Sequence, residues 1–408
     1  MQHNSRAAQS SITDSIIRSE QQVLMSTYAR PPMVISHGKG VYLYDLEGRR
    51  YLDFVAGIAV NALGYGDPGV RRALDEQADR LWHCSNLYYT EPQVRLAEDL
   101  VRFTFADRVF FCNSGAEAIE GAIKCARRWA NQVKGEENGE IIAFNNSFHG
   151  RTMGALSATG QPKFWEGFGP MVPGFCFAEY NDLSSVQALH NEKTCAILVE
   201  PVQGESGIHP ASPEFLTGLR RLCSANRCLL IFDEIQCGLG RCGAFCAHER
   251  YGVTPDILTL AKPLAAGLPL GALLTRGEAG ETFAVGSHGT TFGGGPLTTH
   301  VARYMIKRLR EPGFLQGVNE RGAHLRRGLE ALARDFEEIV DVRGLGLMAG
   351  IDLTLDTKKI ISHCCERGLL VCRAGENTIR FLPPLIVTNE EIDTALKLFR
   401  EALDKERA

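Results

Sequence analysis

The stretch Asp256-Ile-Leu-Thr-Leu260-Ala-Lys262-Pro-Leu-Ala-Ala-Gly-Leu-Pro269 places a lone lysine just after an apolar run. The run predicts a buried strand, and the glycine and prolines that follow predict a loop. A lysine at the end of a buried strand is costly unless it is paired, neutralised or used covalently. The ordinary alternative is a surface lysine just past a strand. The motifs around Lys262 therefore have to decide between these two interpretations.

A second strand that ends in an acid lies upstream, in Leu229-Leu-Ile-Phe-Asp233-Glu234-Ile235-Gln236. A pyridoxal phosphate enzyme needs a lysine and an aspartate at such strand ends, because the lysine bonds to the cofactor and the aspartate partners its ring nitrogen. The cluster after the strand predicts cofactor contacts from Glu234, from Ile235 on the ring face and from Gln236 at the ring 3′-oxygen. The alternative, an acid pair of Walker B type, is disfavoured because no G-x-x-x-x-G-K-[ST] motif is present.

Composition indicates a globular protein that acts on small molecules. The chain has 408 residues, enough for two domains, with 44% hydrophobic and 23% charged residues. A net charge of −4 gives no sign of a nucleic-acid or membrane partner, and no run approaches the roughly 18 apolar residues of a membrane helix. The 13 cysteines show neither CxxC spacing nor a His/Cys ligand pattern. They predict free thiols in a reducing compartment and no metal site.

From about residue 68, continuous apolar strands alternate with helices, which predicts an α/β fold with a mainly parallel sheet covered on both faces. Ligand sites in such sheets lie beyond the carboxyl ends of the strands. After residue 336, predicted strands and helices are mixed in an α+β pattern, which indicates a smaller domain. The predicted organisation is an N-terminal segment over 1–60 (a helix over 14–28 and a hairpin) that joins the small domain, a large cofactor-binding domain over 61–295, connecting helices over 296–335 and a C-terminal small domain over 336–408.

A candidate phosphate site lies in Phe111-Cys-Asn-Ser114-Gly115-Ala116-Glu117, which predicts a strand, a tight turn and a helix start. Backbone N–H groups at a helix N-terminus bind phosphate, and Ser114 adds a hydroxyl. The alternative is an ordinary helix that Ser114 caps.

Four further residues are candidates for binding the cofactor ring or a carboxylate. In the stretch Ser147-Phe148-His149-Gly150-Arg151, Phe148 is suited to stack on a flat ring. Arg151 is suited to bind a carboxylate through two parallel hydrogen bonds. Glu205, in a Gly-rich loop after a strand, is suited to pair with an active-site arginine. Arg380 lies in an apolar strand, where an arginine is seldom buried without an anionic partner. Solvated loops and surface acids are the alternatives for the first three.

Together these motifs resemble the class III aminotransferases, which are fold-type I pyridoxal phosphate enzymes, over about residues 38–384. Lys262 follows Asp233 at the spacing of that family. The resemblance implies a large mainly parallel-sheet domain, a smaller α+β domain built from the N- and C-terminal segments, and pyridoxal 5′-phosphate as cofactor. It also implies a homodimer with shared active sites, in which Thr291 of one subunit reaches the cofactor phosphate of the other.

The resemblance also implies a role for each candidate residue. Lys262 binds the cofactor covalently and shuttles the proton, Asp233 pairs with the ring nitrogen, and Phe148 stacks on the ring. Gly115 and Ala116 donate to the phosphate beside Ser114. Arg151 and Thr290 hold the acylated substrate, Arg380 takes the α-carboxylate of glutamate or 2-oxoglutarate, and Glu205 releases or screens Arg380 according to which substrate is bound.

The activity implied is transfer of the δ-amino group of N2-acetylornithine to 2-oxoglutarate, which gives N-acetylglutamate 5-semialdehyde and glutamate in arginine biosynthesis. Ornithine and 4-aminobutyrate are alternative amine donors, although Gly57 and Ile58 stand where ornithine-specific relatives tend to carry a tyrosine. A racemase or a non-catalytic cofactor-binding protein on the same fold is a further alternative. The polar first dozen residues leave open a trimmed organelle leader, hence a plastid or mitochondrion in a eukaryote and the cytoplasm otherwise.

Overall fold

The computed structural model describes residues 2–407, with side chains described from residue 12 onward. The chain begins with helix α1 (Gln2–Val23), so the helix predicted over 14–28 was wrong at both ends. Helical periodicity does not set helix ends, which depend on capping and on contacts with the rest of the fold. The leader hypothesis concerns residues 1–12, of which the side chains of 1–11 lie outside the described part.

The predicted hairpin is confirmed. Strands β1 (Ile35–Lys39), β2 (Tyr42–Asp45) and β3 (Arg50–Asp53) form an antiparallel meander, and the short helix α2 (Ala56–Ala59) follows. Gly48 has φ +78° in the turn between β2 and β3, a conformation that glycine adopts without strain.

The large sheet is built from alternating strands and helices, as predicted. In chain order its region contains α3 (Pro68–Ala78), α4 (Glu91–Phe103), β4 (Arg108–Cys112), α5 (Gly115–Trp129), β5 (Glu140–Phe144), α6 (Met153–Ala158), β6 (Phe175–Ala178), α7 (Leu183–Leu189), β7 (Thr194–Val199), β8 (Val202–Gln203), β9 (His209–Pro210), α8 (Pro213–Asn226), β10 (Leu229–Asp233), β11 (Ile257–Leu260) and β12 (Gly271–Thr275). Seven of these strands form one sheet in the order β4-β12-β11-β10-β7-β5-β6. Only β12 runs antiparallel to its neighbours in this sheet.

The sheet is buried on both faces because successive side chains of a strand point to opposite sides. In β10, Ile231 packs with Ile123 of α5 on one face, in the cluster that covers that side. Phe232 packs with Phe215 of α8 in the cluster on the other face. Every residue of β7 is buried, which explains why this strand is a continuous apolar run rather than an alternating one.

The C-terminal part is α+β, as predicted. It contains α9 (Pro296–Leu309), α10 (Phe314–Asp335), β13 (Ile339–Leu345), β14 (Met348–Leu353), α11 (Thr357–Glu366), β15 (Leu369–Leu370), β16 (Cys372–Ala374), β17 (Thr378–Phe381) and α12 (Asn389–Arg407). Four strands form a sheet in the order β13-β14-β17-β16, whereas β15 pairs in parallel with β3 of the N-terminal meander. The two ends of the chain thus share a sheet, and the fold class is confirmed. The domain boundaries themselves remain a prediction.

Within residues 2–407 no helix is long and apolar enough to cross a membrane. In the same part of the chain, no group of three or more His, Cys, Asp or Glu is arranged to hold a metal ion. The 13 cysteines are free thiols in this structure, and most of them are buried.

Candidate active site

A cavity of about 450 Å³ opens beyond the carboxyl ends of the parallel strands, where ligands bind in sheets of this kind. Strands β4, β5, β7, β10 and β11 each deliver polar residues to it from the loop that follows the strand. Nine of the predicted site residues line this cavity: Ser114, Gly115, Ala116, Phe148, Arg151, Asp233, Ile235, Gln236 and Lys262.

Lys262 lies two residues beyond the end of β11, with φ +29° at the start of a short 3-10 helix. Burial lowers the pKa of its amine to about 8, a shift that the charge of Arg380 reinforces and that the carboxylates of Glu205, Asp233 and Glu200 oppose. None of the hydrogen bonds within the described residues involves the amine. A partly neutral amine that is free of protein partners is the group that covalent attachment of an aldehyde cofactor requires.

Asp233 is the last residue of β10, and its carboxylate is buried. Its Oδ2 lies 2.8 Å from Nδ1 of His149, and its Oδ1 accepts hydrogen bonds from Ile235 N at 3.0 Å and Thr259 Oγ1 at 3.3 Å. His149 is itself fully buried, and its Nε2 has no hydrogen-bond partner among the described residues. His149 is not among the site residues predicted from the sequence, although it is the neighbour of Phe148 in the same motif.

The predicted phosphate cradle is the N-terminus of α5. Ser114 caps this helix, since its Oγ accepts a hydrogen bond from Glu117 N at 3.2 Å. Gly115 and Ala116, the first two residues of α5, line the cavity, and the N–H groups at a helix N-terminus have no partner within the helix and can bind an anion. A Cβ on Gly115 would come within 2.8 Å of Ile235, so only glycine allows this close approach. The cradle therefore fits a phosphate group.

An ion pair between Arg380 and Glu205 links the sheet β13-β14-β17-β16 to the cavity. Arg380 in β17 is almost fully buried, and its Nη1 donates to Glu205 Oε1 at 2.8 Å, Gln236 Oε1 at 3.0 Å and Gly204 O at 3.1 Å. Burial alone would raise the pKa of Glu205, but the charges of Arg380 and Lys262 outweigh burial and lower it. The predicted pairing of Glu205 with an arginine is thus present in the structure.

Glu200 also lines the cavity and is not among the site residues predicted from the sequence. Its Oε2 accepts a hydrogen bond from Phe148 N at 3.1 Å. Burial, with the nearby charge of Asp233, raises the pKa of its carboxyl group well above the usual value. Glu200 therefore helps to hold the Phe148 loop at the edge of the cavity.

Comparison with known proteins agrees with this geometry. The sequence signature of the family described as Aminotransferase class-III matches residues 24–403. The chain belongs to this family. Pyridoxal 5′-phosphate is the cofactor of class III aminotransferases and of this chain. The fit of the cavity to that group rests on the cradle at α5, the free amine of Lys262 and the buried carboxylate of Asp233.

Among its relatives, the aminotransferase is 45% identical to the acetylornithine aminotransferase of Caldanaerobacter subterraneus subsp. tengcongensis, over 96% of this chain and 100% of the relative. It is also 45% identical to the mitochondrial acetylornithine aminotransferase of Alnus glutinosa, over 96% and 88% of the two chains. Among solved structures, the ornithine aminotransferase of Toxoplasma gondii has a TM-score of 0.93 at 33% identity, covering 97% of this chain and 96% of that one. The N-acetylornithine aminotransferase of Stenotrophomonas maltophilia has a TM-score of 0.82 at 37% identity, covering 95% and 98%.

Two predicted residues of the aminotransferase lie on a neighbouring loop, outside the cavity of their own chain. The hydroxyl of Thr290 accepts hydrogen bonds from Asn113 Nδ2 and Gly293 N, both at 3.2 Å. Thr291 is exposed and lines a separate, small cavity beside Phe292. Within one chain, neither threonine reaches the site around Lys262.

The prediction that Glu234 contacts the cofactor is not supported by the geometry. The Glu234 side chain accepts hydrogen bonds from Ala247 N at 2.5 Å and His248 N at 2.7 Å, on the side of β10 away from the cavity. Burial raises its pKa to about 8. Glu234 follows Asp233 directly, and neighbouring side chains at a strand end point in opposite directions. Its carboxyl group thus caps a short helix instead of lining the site.

Lys262 makes the stability of the cofactor-free aminotransferase depend on pH. Because its folded-state pKa is about 8 and its ordinary value is 10.5, the unfolded chain binds more protons between these values, and stability rises with pH across that window. At neutral pH the buried amine costs roughly 2 kcal/mol of folding free energy, allowing for solvent in the cavity. We expect Lys262→Met to stabilise the cofactor-free protein at pH 7, by an amount that shrinks toward pH 10.5 in urea unfolding. An equal gain at both pH values would contradict this cause.

Proposed function

We propose that the enzyme transfers the δ-amino group of N2-acetylornithine to 2-oxoglutarate, giving N-acetylglutamate 5-semialdehyde and glutamate. The observation that carries the proposal is one cavity that combines the unpaired amine of Lys262, the buried carboxylate of Asp233 and the exposed guanidinium of Arg151. Relatives named acetylornithine aminotransferase, 45% identical over nearly the whole chain, support the choice of substrate.

Different residues of the cavity would bind different parts of the cofactor. Gly115, Ala116 and Ser114 would hold the phosphate at the N-terminus of α5. The flat ring of Phe148 would stack on one face of the cofactor ring, and the branched side chain of Ile235 would pack on the other. The carboxylate of Asp233 would pair with the ring nitrogen. When bound, pyridoxal phosphate supplies an electron sink that stabilises negative charge at the substrate carbon.

Lys262 acts as the base of the reaction. Its depressed pKa gives a neutral Nζ in a substantial fraction of molecules near pH 8, and only the neutral amine accepts a proton. Nζ would take the proton from the substrate carbon that bears the δ-nitrogen and pass it to the cofactor, because return of the proton to the same carbon would only restore the substrate. His149 fixes the direction of the Asp233 carboxylate through the contact of 2.8 Å, so that the anion keeps its orientation while charge develops.

Arg380 and Glu205 let one cavity accept two different substrates. Glutamate and 2-oxoglutarate carry a carboxylate next to the reacting carbon, and this carboxylate displaces Glu205 from Arg380. The δ-amino end of N2-acetylornithine has no such carboxylate, so Glu205 remains paired with Arg380. Arg380 is then not left as a buried, unpaired charge, which would be unfavourable. The distal carboxylate of N2-acetylornithine then binds Arg151.

The active unit is a homodimer with shared sites. Thr290 and Thr291 lie on a loop outside their own cavity, where they are available to the site of a second copy. Large exposed apolar side chains accompany this loop, namely Trp82, Leu87, Tyr88, Tyr89 and Phe292. An apolar surface of this kind is typical of protein interfaces. Light scattering should give twice the mass of one chain, and the mass of a single chain would contradict the proposal.

The free thiols are consistent with a reducing compartment. In a eukaryotic source this compartment is the mitochondrion or plastid, and relatives named mitochondrial support that assignment. Otherwise the enzyme acts in the cytoplasm. Microscopy of a C-terminal fluorescent fusion of the full chain tests the compartment, and a secreted fusion would contradict it.

Ornithine is the second candidate amine donor, because the Toxoplasma gondii ornithine aminotransferase shares the fold at a TM-score of 0.93. Gly57 and Ile58 argue against it as the preferred substrate, since neither is the tyrosine that ornithine-specific relatives tend to carry in this segment. Val60, two residues after Ile58, lines the cavity. 4-Aminobutyrate is the third candidate amine donor, because the same residues can act on its primary amine.

Initial rates with N2-acetylornithine, ornithine and 4-aminobutyrate, each with 2-oxoglutarate, test the proposed function. We expect N2-acetylornithine to give the highest kcat/KM, by at least about tenfold, because its acyl group removes the positive charge of the α-nitrogen near Arg151 and adds contact area, whereas the distal carboxylate is common to all three donors. A higher kcat/KM for ornithine or 4-aminobutyrate would overturn the substrate assignment. Exchange of the α-hydrogen of glutamate without an amino acceptor would indicate a racemase, and no reaction with any donor would indicate a non-catalytic protein.

A further inference from the structure

The two arginines of the site are held in different ways. Arg380 is buried and paired with Glu205, whereas Arg151 is exposed and has no carboxylate within ion-pair distance among the described residues. The guanidinium carbon of Arg151 lies 4.2 Å from the ring centroid of Phe164 and 5.5 Å from that of Phe148. Arg151 thus rests on aromatic rings, which leaves its N–H groups available to a ligand.

Phe164 connects two parts of the site. Its ring meets that of Phe148 edge to face, with centroids 5.9 Å apart and planes at 80°. Phe148 lines the cavity, so Phe164 links the ring-stacking side chain to the arginine at the cavity mouth. Lys163 Nζ also lies 5.2 Å from the centroid of Phe164, which makes this ring a platform for positive charge.

The backbone that carries Phe164 is anchored on both sides. Gln161 Nε2 donates to Ser147 O at 2.9 Å, next to Phe148. The indole N–H of Trp165 donates to Leu156 O and Thr159 O, both at 3.0 Å, at the end of α6. The ring of Phe164 is therefore tied to the Phe148 loop and to the helix that follows Arg151. An anchored platform limits the rotamers of a long side chain that lies on it.

We propose that Phe164 is a positioning residue that gives the enzyme its preference for amine donors carrying a distal carboxylate, by holding the Arg151 guanidinium at the mouth of the cavity. The inference rests on the proposed function and deepens it. A cation that lies on the face of a ring keeps its in-plane N–H groups for a carboxylate, and its orientation is fixed before the substrate arrives. An amine donor that lacks the carboxylate gains nothing from this arrangement.

The test compares Phe164→Leu, which removes the ring, with Phe164→Tyr, which keeps it. Donors are N2-acetylornithine and N-acetylputrescine, the same amine without the carboxylate. For Phe164→Leu we expect KM for N2-acetylornithine to rise about tenfold with kcat changed less than about twofold, and kcat/KM for N-acetylputrescine to change less than about twofold. Phe164→Tyr should behave like the wild type. Phe168→Leu is the matched control, because Phe168 lies on the same loop and is 59% exposed.

A double-mutant cycle with Arg151→Leu separates positioning from general damage. In the Arg151→Leu background, Phe164→Leu should add no further loss with N2-acetylornithine, because the group that it positions is gone. Equal losses with both donors, an added loss in the Arg151→Leu background, or an unchanged KM in Phe164→Leu would overturn the inference. If the wild type does not use N2-acetylornithine at all, the proposed function itself fails, so the two failures are distinguishable.

Discussion

Replacing Lys262 with alanine is expected to lower turnover of N2-acetylornithine about ten-thousandfold, because the variant loses both the covalent attachment point and the base. The structure gives Lys262 a free amine, a pKa lowered to about 8 and a position among Asp233, Glu200 and Glu205. No hydrogen bond of the described residues would be broken at this amine, so the fold should survive the change. The measurement is the single-turnover rate with N2-acetylornithine, with cofactor content determined separately.

Lys193→Ala is the control for loss of a lysine, since Lys193 is exposed and far from the cavity. A small primary amine such as methylamine should restore part of the activity of Lys262→Ala, because alanine leaves room for it in the cavity. It should not affect Lys193→Ala. Near-normal turnover by Lys262→Ala without added amine would remove the basis of the proposed mechanism.

Replacing Asp233 with asparagine is expected to lower kcat about a thousandfold, while the neighbouring change Glu234→Gln leaves kcat within about twofold. Asparagine keeps the shape of the Asp233 side chain but removes the negative charge that faces the cofactor and His149. Glu234 points the other way, toward the amides of Ala247 and His248, and its pKa of about 8 keeps it mostly protonated at neutral pH. Glutamine resembles that protonated acid.

The two variants form a matched pair of adjacent residues at one strand end. Steady-state kcat and the absorbance of the bound cofactor should change in Asp233→Asn and remain close to the wild type in Glu234→Gln. Glu234→Gln should show its effect, if any, as a lower melting temperature, because the cap of the helix over 247–251 is altered. Comparable losses of kcat in both variants would refute the assignment of the two side chains to opposite sides of β10.

Most of the fold could be predicted because burial leaves a local pattern. The strands of the large sheet are buried on both faces and therefore appear as continuous apolar runs, and the residues that follow them gather at one edge of the sheet. This is why the sequence predicts one site that contains Asp233, Lys262 and the start of α5. The end of α1 was predicted less well, because a helix terminus depends on contacts that periodicity does not record.

The sequence by itself determined which strand ends carry chemistry, since a buried strand followed by a charged residue is visible in the chain. Only the tertiary structure decided which way each side chain points and what it meets. Glu234 was assigned to the cofactor although it faces the opposite side of β10, and His149, Glu200 and Phe164 were passed over. His149 meets Asp233, which lies 84 residues later in the chain. Contacts of that kind arise from packing between distant segments, and no local pattern encodes them.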